Sequence, residues 1–202
     1  MKKFTDDTLE IYLNELSSPE PVPGGGSVSA YAAALAMGLT QMVGRVSLKR
    51  KKKEGLPPEE SRTEDVRRES IQKIVDSLEK TKRDAFQIVN QDPEIYQEVM
   101  NVWGTDKLEE ALENSFRVQA ELSFLVVMAY EWNKNMSDLV SGSIKNDLIV
   151  SAGLFEAAFK GAYHTALINV CYMKDAGRKS RAEKALKEIR DRFEKIPCVH
   201  AG

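Results

Sequence analysis

Apolar residues recur at three- and four-residue spacings along nearly the whole chain, and no segment alternates with the period of a strand or carries an Asn-Gly or Asp-Gly hairpin turn. The pattern predicts about six helices. A short first helix is expected from about Asp6 to Leu16, with Leu9, Tyr12, Leu13 and Leu16 on one face and Thr5 as its cap. The linker Ser17–Pro23 holds three prolines and cannot be helical. A second helix begins at Gly24-Gly25-Gly26-Ser27 and runs into the basic block Lys49–Lys53. A third starts after Pro57-Pro58, since proline suits a first turn, and carries Ile71, Ile74, Val75, Leu78, Ala85 and Val89. Pro93 is expected to end it, with a short further turn as far as Val102. Thr105 caps a fourth helix striped by Leu108, Leu112, Val118, Leu122 and Val126. Asp138 to Lys174 reads as a long fifth helix with Gly177 as its stop, followed by a charged sixth carrying Ala182, Ala185, Leu186, Ile189 and Phe193.

The fold class is therefore all-α, an up-and-down bundle with two long central helices. Ala30, Ala34 and Gly38 lie four apart on the second helix, and Gly153, Ala157 and Gly161 lie four apart on the fifth. Small residues on one face remove the spacer between helix backbones, so these two helices are expected to be close neighbours.

Length and charge narrow the class further. The chain has 202 residues, which favours one domain spanning 1–202. Lys plus Arg number 29 against 31 acids, and a net charge of −2 offers no surplus for phosphates, so no nucleic-acid partner is expected. Two cysteines, Cys171 and Cys198, are too few for a disulfide framework or a thiolate metal site, and no metal is expected. The run Ser27–Val46 followed by Lys49–Lys53 has the layout of a membrane span. Its apolar residues are mostly alanine, broken by Ser29, Thr40, Gln41 and Arg45, so a helix buried in a bundle fits better. A cytoplasmic protein with no membrane partner is the expectation.

The most specific local feature is Pro21-Val22-Pro23-Gly24-Gly25-Gly26-Ser27. Three glycines allow positive φ and remove every Cβ, so a ligand can approach the backbone. The helix behind them presents unpaired N–H groups and partial positive charge, a site for a carboxylate or phosphate, with Ser27 as cap or ligand hydroxyl. A second feature is the polar knot Asn133-Lys134-Asn135-Met136-Ser137-Asp138, expected between two apolar helices. Asp138 there is either the first acid of a helix or a carboxylate for proton transfer, with Asn135 and Ser137 to orient it. Asp84 flanks the third helix's stripe, Asn169 needs a backbone or ligand partner if buried, and His164, alone among small residues, is expected to pack in the core.

These residues together resemble the formimidoyltetrahydrofolate cyclodeaminases and the related methenyltetrahydrofolate cyclohydrolases. The resemblance runs from the Pro-Val-Pro-Gly-Gly-Gly-Ser segment through Met42-Val43, Asp84-Ala85-Phe86, Asn135-x-Ser137-Asp138 and Gly161-Ala162 to Asn169 and Asp175. It departs from the family at Thr165, where asparagine is common, and at Gln91-Asp92-Pro93, which replaces a Leu-Pro-Lys-like segment. The resemblance implies a homodimeric helical enzyme with no prosthetic group and a reduced folate as substrate. It implies formation of 5,10-methenyltetrahydrofolate from the 5-formimidoyl compound with loss of ammonia, or the cyclohydrolase reaction. Asp138 or Asp84 would act as the proton-transfer group; Gly24, Gly25, Gly26 and Ser27 would hold the folate, and Lys51 or Lys52 a polyglutamate tail. A non-catalytic helical module binding an anionic metabolite is the competing class.

Overall fold

The computed structural model describes residues 3–52, 55–197 and 199; Lys53 of the basic block and Cys198 lie outside the described residues. Among the described residues there are a 3₁₀ turn at Phe4–Asp6 and six α-helices, and no strand. The helices are α1 (Leu9–Leu16), α2 (Gly25–Lys49), α3 (Pro58–Asn101), α4 (Leu108–Leu139), α5 (Lys145–Tyr172) and α6 (Ala176–Phe193). α2 packs between α3 and α5, and α4 closes the ring by packing on both α5 and α3. α6 lies across α4 and α5. This is the up-and-down bundle that the periodicity predicts.

The centre is built from small residues on α2 and larger ones facing them. Ala30, Ala33, Ala36 and Met37 are fully enclosed, as are Phe155 and Ala158 of α5 and Leu122 and Val126 of α4. A polar layer ties three helices inside this core. Asn133 donates to Thr40 Oγ1 at 2.9 Å, Thr40 Oγ1 lies 2.7 Å from Ser151 Oγ, and Ser151 donates to the Ala36 carbonyl at 2.7 Å. These hydrogen bonds lie where water cannot reach and fix the rotation of α2, α4 and α5 relative to one another, while Asn133 Oδ1 stays buried with no partner among the described residues.

The small-residue stripes meet at fewer points than expected. A Cβ on Gly161 would overlap Ser29 Oγ, so the α2 and α5 backbones do cross closely there. Gly153 and Ala157, however, face solvent, and the buried face of α5 is carried instead by Ser151, Phe155, Ala158 and Ala162. His164 is also exposed rather than packed in the core.

Several helix ends differ from the sequence reading, each for a local reason. Thr5 exchanges hydrogen bonds with Asn90, its N–H donating to Oδ1 at 3.2 Å, so Thr8 caps α1 instead by accepting from Ile11 N–H. Thr105 accepts from Lys107 N–H within a turn, and α4 starts at Leu108. The polar knot lies on the last turns of α4; Gly142, at φ +86, carries the link to α5. Gly177 is not a stop but sits in the first turn of α6, which Asp175 caps by accepting from Arg178 N–H at 2.8 Å. Pro93 does not end α3 but lies inside a 44-residue helix. No described helix is long and apolar enough to cross a membrane.

The close crossing is testable. Gly161→Ala is expected to lower stability by about 1–3 kcal/mol through overpacking. Ser29→Ala in the same chain is expected to recover part of that loss, because the obstructing atom is its hydroxyl. Urea unfolding measures both; a Gly161→Ala chain as stable as the parent would contradict the crossing.

Candidate active site at the start of α2

Where α2 begins, the last turns of α3 and α5 and the early part of α4 surround a cavity of about 450 Å³. Gly24, Gly25 and Gly26 form one wall, and Asp92, Thr165 and Asn169 contribute polar groups. None of the three glycines has positive φ, contrary to the expectation; among the described residues only Gly55, Gly104 and Gly142 do. Their requirement is steric. A Cβ on Gly26 would overlap both Asp92 Oδ1 and Gln119 Nε2, whereas one on Gly25 would make only ordinary contact, 3.8 Å from Thr165 Oγ1.

The chemistry at this helix start follows from one proline. Pro93 has no N–H, so the Val89 carbonyl four residues earlier lacks its helical partner. Ser27 Oγ donates to that carbonyl at 2.9 Å and lies 3.0 Å from the Tyr12 hydroxyl. This draws the first turn of α2 against α3 and brings Ser27 N–H to Asp92 Oδ2 at 2.9 Å. Gln119 Nε2 of α4 donates to Asp92 Oδ1 at 2.7 Å. Asp92 therefore caps α2, and Ser27 is wholly buried rather than part of the cavity wall. The helix N-terminus predicted to receive a ligand anion is met at Ser27 by the protein's own carboxyl group. The N–H groups of Gly25 and Gly26 have no backbone acceptor among the described residues.

Removal from water pushes the Asp92 carboxyl above its ordinary value of 3.8, and the hydrogen bonds from Ser27 and Gln119 oppose that shift without cancelling it. Burial likewise raises the Tyr12 phenol, partly countered by Ser27. The remaining walls are apolar and aromatic. Tyr96, Met100 and Trp103 come from the end of α3 and the turn beyond it, and Ile168 and Tyr172 from α5. Trp103 and Tyr172 meet edge to face at 5.3 Å while staying 48% and 53% exposed, which leaves broad ring surface at the rim.

Gly24, Gly25, Gly26 and Asn169 thus line one cavity, with Asn169 donating to the Thr165 carbonyl at 3.0 Å. The other sequence-derived candidates lie elsewhere. Asp138 is on the last turn of α4, paired with Lys134 at 2.7 Å and with its side chain 66% exposed, in a separate cleft that includes Asn135 and Arg192. Ser137 is buried beside it, not at the glycines. Asp84 precedes Asp92 by eight residues of α3, about 12 Å along the axis, and does not line the glycine cavity. Lys51 lies beyond the far end of α2, about 36 Å from its glycines, in a cleft with Arg50 and Arg68. It cannot share the binding of a ligand with the glycines of its own chain without a span of that length.

Asp92, Tyr96 and Trp103 escape the sequence reading because proline marks a helix end there, while Gln119 and Tyr172 lie on the predicted fourth and fifth helices with no motif to single them out. The signal was present: Tyr96, Val99, Met100 and Trp103 continue the three-and-four spacing past the proline. Asp92 and Thr165, both at points of departure from the family pattern, line the cavity.

The model of the formiminotransferase-cyclodeaminase family matches residues 8–188, and the chain belongs to that family. It is 23% identical over 194 residues to a methenyltetrahydrofolate cyclohydrolase of Methylorubrum extorquens, covering 91% of this chain and 88% of the relative. It is 24% identical over 186 residues to the formimidoyltransferase-cyclodeaminase of Rattus norvegicus, covering 86% of this chain but only 32% of that longer protein. A formiminotetrahydrofolate cyclodeaminase structure from Thermotoga maritima superposes with a TM-score of 0.85 at 21% identity, covering 96% of this chain and 93% of the other, and shares the fold.

The state of Asp92 can be read from stability. A carboxyl raised in the folded protein contributes its stability at low pH and loses it as pH climbs through the folded value. Asp92→Asn retains an acceptor for Ser27 N–H, and its amide can donate to Gln119 after a turn of that side chain. The variant is expected to gain stability relative to the parent as pH rises from the ordinary carboxylate range through the raised Asp92 midpoint, measured by denaturant unfolding. A pH-independent difference would contradict the raised carboxyl.

Proposed function

We propose that this chain converts 5-formimidoyltetrahydrofolate to 5,10-methenyltetrahydrofolate with release of ammonia, and that the cavity at the start of α2 is where it does so. The observation that carries this reading is a carboxyl group held above its ordinary pKa at the wall of an aromatic-lined cavity, in a chain whose family members bear the names of folate enzymes.

The proton balance of the reaction suits such a group. N10 of the folate attacks the formimidoyl carbon, and the proton of N10 ends on the former imine nitrogen, giving an amine on a tetrahedral carbon. Loss of ammonia requires one further proton and leaves a methenyl cation. Neutral Asp92 supplies that proton as general acid, and the carboxylate so formed lies beside the new positive charge. Tyr96, Trp103 and Tyr172 offer faces and edges to the folate rings, while the N–H groups of Gly25 and Gly26 take an oxygen of the ligand. The chain acts as a homodimer in this reading, for which α2 and α5 offer the exposed apolar side chains Leu35, Val150 and Ile168.

A second reading, opening of the methenyl compound by water, is favoured by the Methylorubrum relative, which this chain matches over most of both lengths. There the ionised form of Asp92 takes a proton from the attacking water.

The two readings separate by direction and by pH. The cyclodeaminase forms the methenyl chromophore from the 5-formimidoyl compound, and its turnover falls as pH rises through the Asp92 pKa. The cyclohydrolase consumes the chromophore, and its turnover rises over the same interval. In either case Asp92→Asn is expected to reduce kcat about 10²- to 10⁴-fold. Asp84→Asn and Asp138→Asn are expected to leave kcat within about twofold, since neither residue borders the cavity. Trp103→Ala is expected to weaken folate binding about three- to tenfold through lost ring contact. Folate binding without turnover in either direction would overturn both enzymatic readings and leave a binding module.

A further inference from the structure

Gln119 is a buried amide whose only described side-chain partner is the carboxyl group of Asp92, and it is a residue that no motif singles out. It comes from α4, reaches across the start of α2 and donates from Nε2 to Asp92 Oδ1 at 2.7 Å. Its own Oε1 is buried with no hydrogen-bond partner among the described residues. The geometry points to Gln119 as the positioning residue that keeps Asp92 usable in both of its protonation states.

The reason lies in what a primary amide can do. Toward an ionised Asp92 it donates from Nε2, as observed. Toward a neutral Asp92 with its proton on Oδ1, a half-turn of the amide brings Oε1 to accept that proton. One side chain then makes one hydrogen bond in either state, but the charge-assisted bond to the carboxylate is the stronger, so Gln119 favours the ionised form while still giving the neutral form a partner. A lysine or arginine would hold the carboxylate ionised; a second carboxylate would share its proton; an apolar residue would leave the ionised form without its donor. Gly26 makes the arrangement possible, because a side chain there would occupy the space of both Asp92 Oδ1 and Gln119 Nε2. Among the described residues the other polar groups at Asp92 or lining its cavity are uncharged: Ser27 N–H from α2, Ser115 from α4, Thr165 and Asn169 from α5, and the phenols Tyr12 from α1, Tyr96 from α3 and Tyr172 from α5. Gln119 is thus the side chain placed to govern the proton on Asp92. This inference rests on Asp92 as the acid of the proposed reaction, but the titration that tests it needs no turnover.

The experiment is a carbon-13 titration of aspartate-labelled full-length protein, with Asp92→Asn to assign the Asp92 signal, repeated in Gln119→Met and Gln119→Glu. Methionine keeps the volume and removes the donor; the Asp92 midpoint is expected to rise by about one to two pH units. Glutamate is expected to give two coupled steps in place of one, the upper of them above the parent midpoint. The pH limb of turnover in Gln119→Met is expected to shift in the same direction and by the same amount, with folate KM changed less than threefold. An Asp92 midpoint unmoved in Gln119→Met, or a single unshifted step in Gln119→Glu, would overturn the inference. If no folate is turned over by the parent, the function fails while the titration still decides the role of Gln119.

Discussion

The hydrogen bond from Ser27 N–H to Asp92 is the contact on which the site depends. It joins the first turn of α2 to the middle of α3's final third, and it exists because Pro93 leaves the Val89 carbonyl for Ser27 Oγ to take. A proline that ordinarily weakens a helix here creates a docking point for another helix. Once Ser27 is seated, Gly26 must lack a side chain, Gln119 completes the carboxyl group's surroundings, and the glycine wall faces the aromatic residues carried by the continuation of α3.

Two opposing influences act on that carboxyl group. The helix start and the amide of Gln119 favour its ionised form, while withdrawal from water favours the neutral one and prevails. The outcome is an acid that holds its proton at higher pH than a surface aspartate and yet has donors waiting for the charge it acquires on release. A reaction that ends in a cation next to that group draws on both features. The aspartates at positions 84 and 138 stand outside the cavity: Asp138 is matched to Lys134 in solvent, and Asp84 lies about two turns of α3 before Asp92.

The bundle was legible because helical periodicity accumulates over many residues, and α2, with its alanines and central Met37, could only be a buried helix. The triglycine segment was legible as a site for a different reason than the one that operates: backbone exposure suggested a ligand anion, whereas the space is taken up to Ser27 by Asp92. Asp92 itself was hidden by a local rule, proline as a helix breaker, that tertiary contact with Ser27 overrides. Asp138 looked placed between helices because the end of α4 and the start of α5 both carry helix-compatible residues; only Gly142, with its positive φ, marks the true break. Lys51 seemed near the glycines in sequence, but a straight helix converts that separation into distance.

A crystal structure of the protein with 5-formyltetrahydrofolate, whose formyl group stands in for the formimidoyl group, tests the central claim most directly. The folate is expected in the cavity bounded by Gly24–Gly26 and Trp103, with the formyl group within about 3 Å of an Asp92 carboxyl oxygen. An ordered folate bound instead in the Lys51 cleft or beside Asp138, with the glycine cavity taking no part, would contradict it.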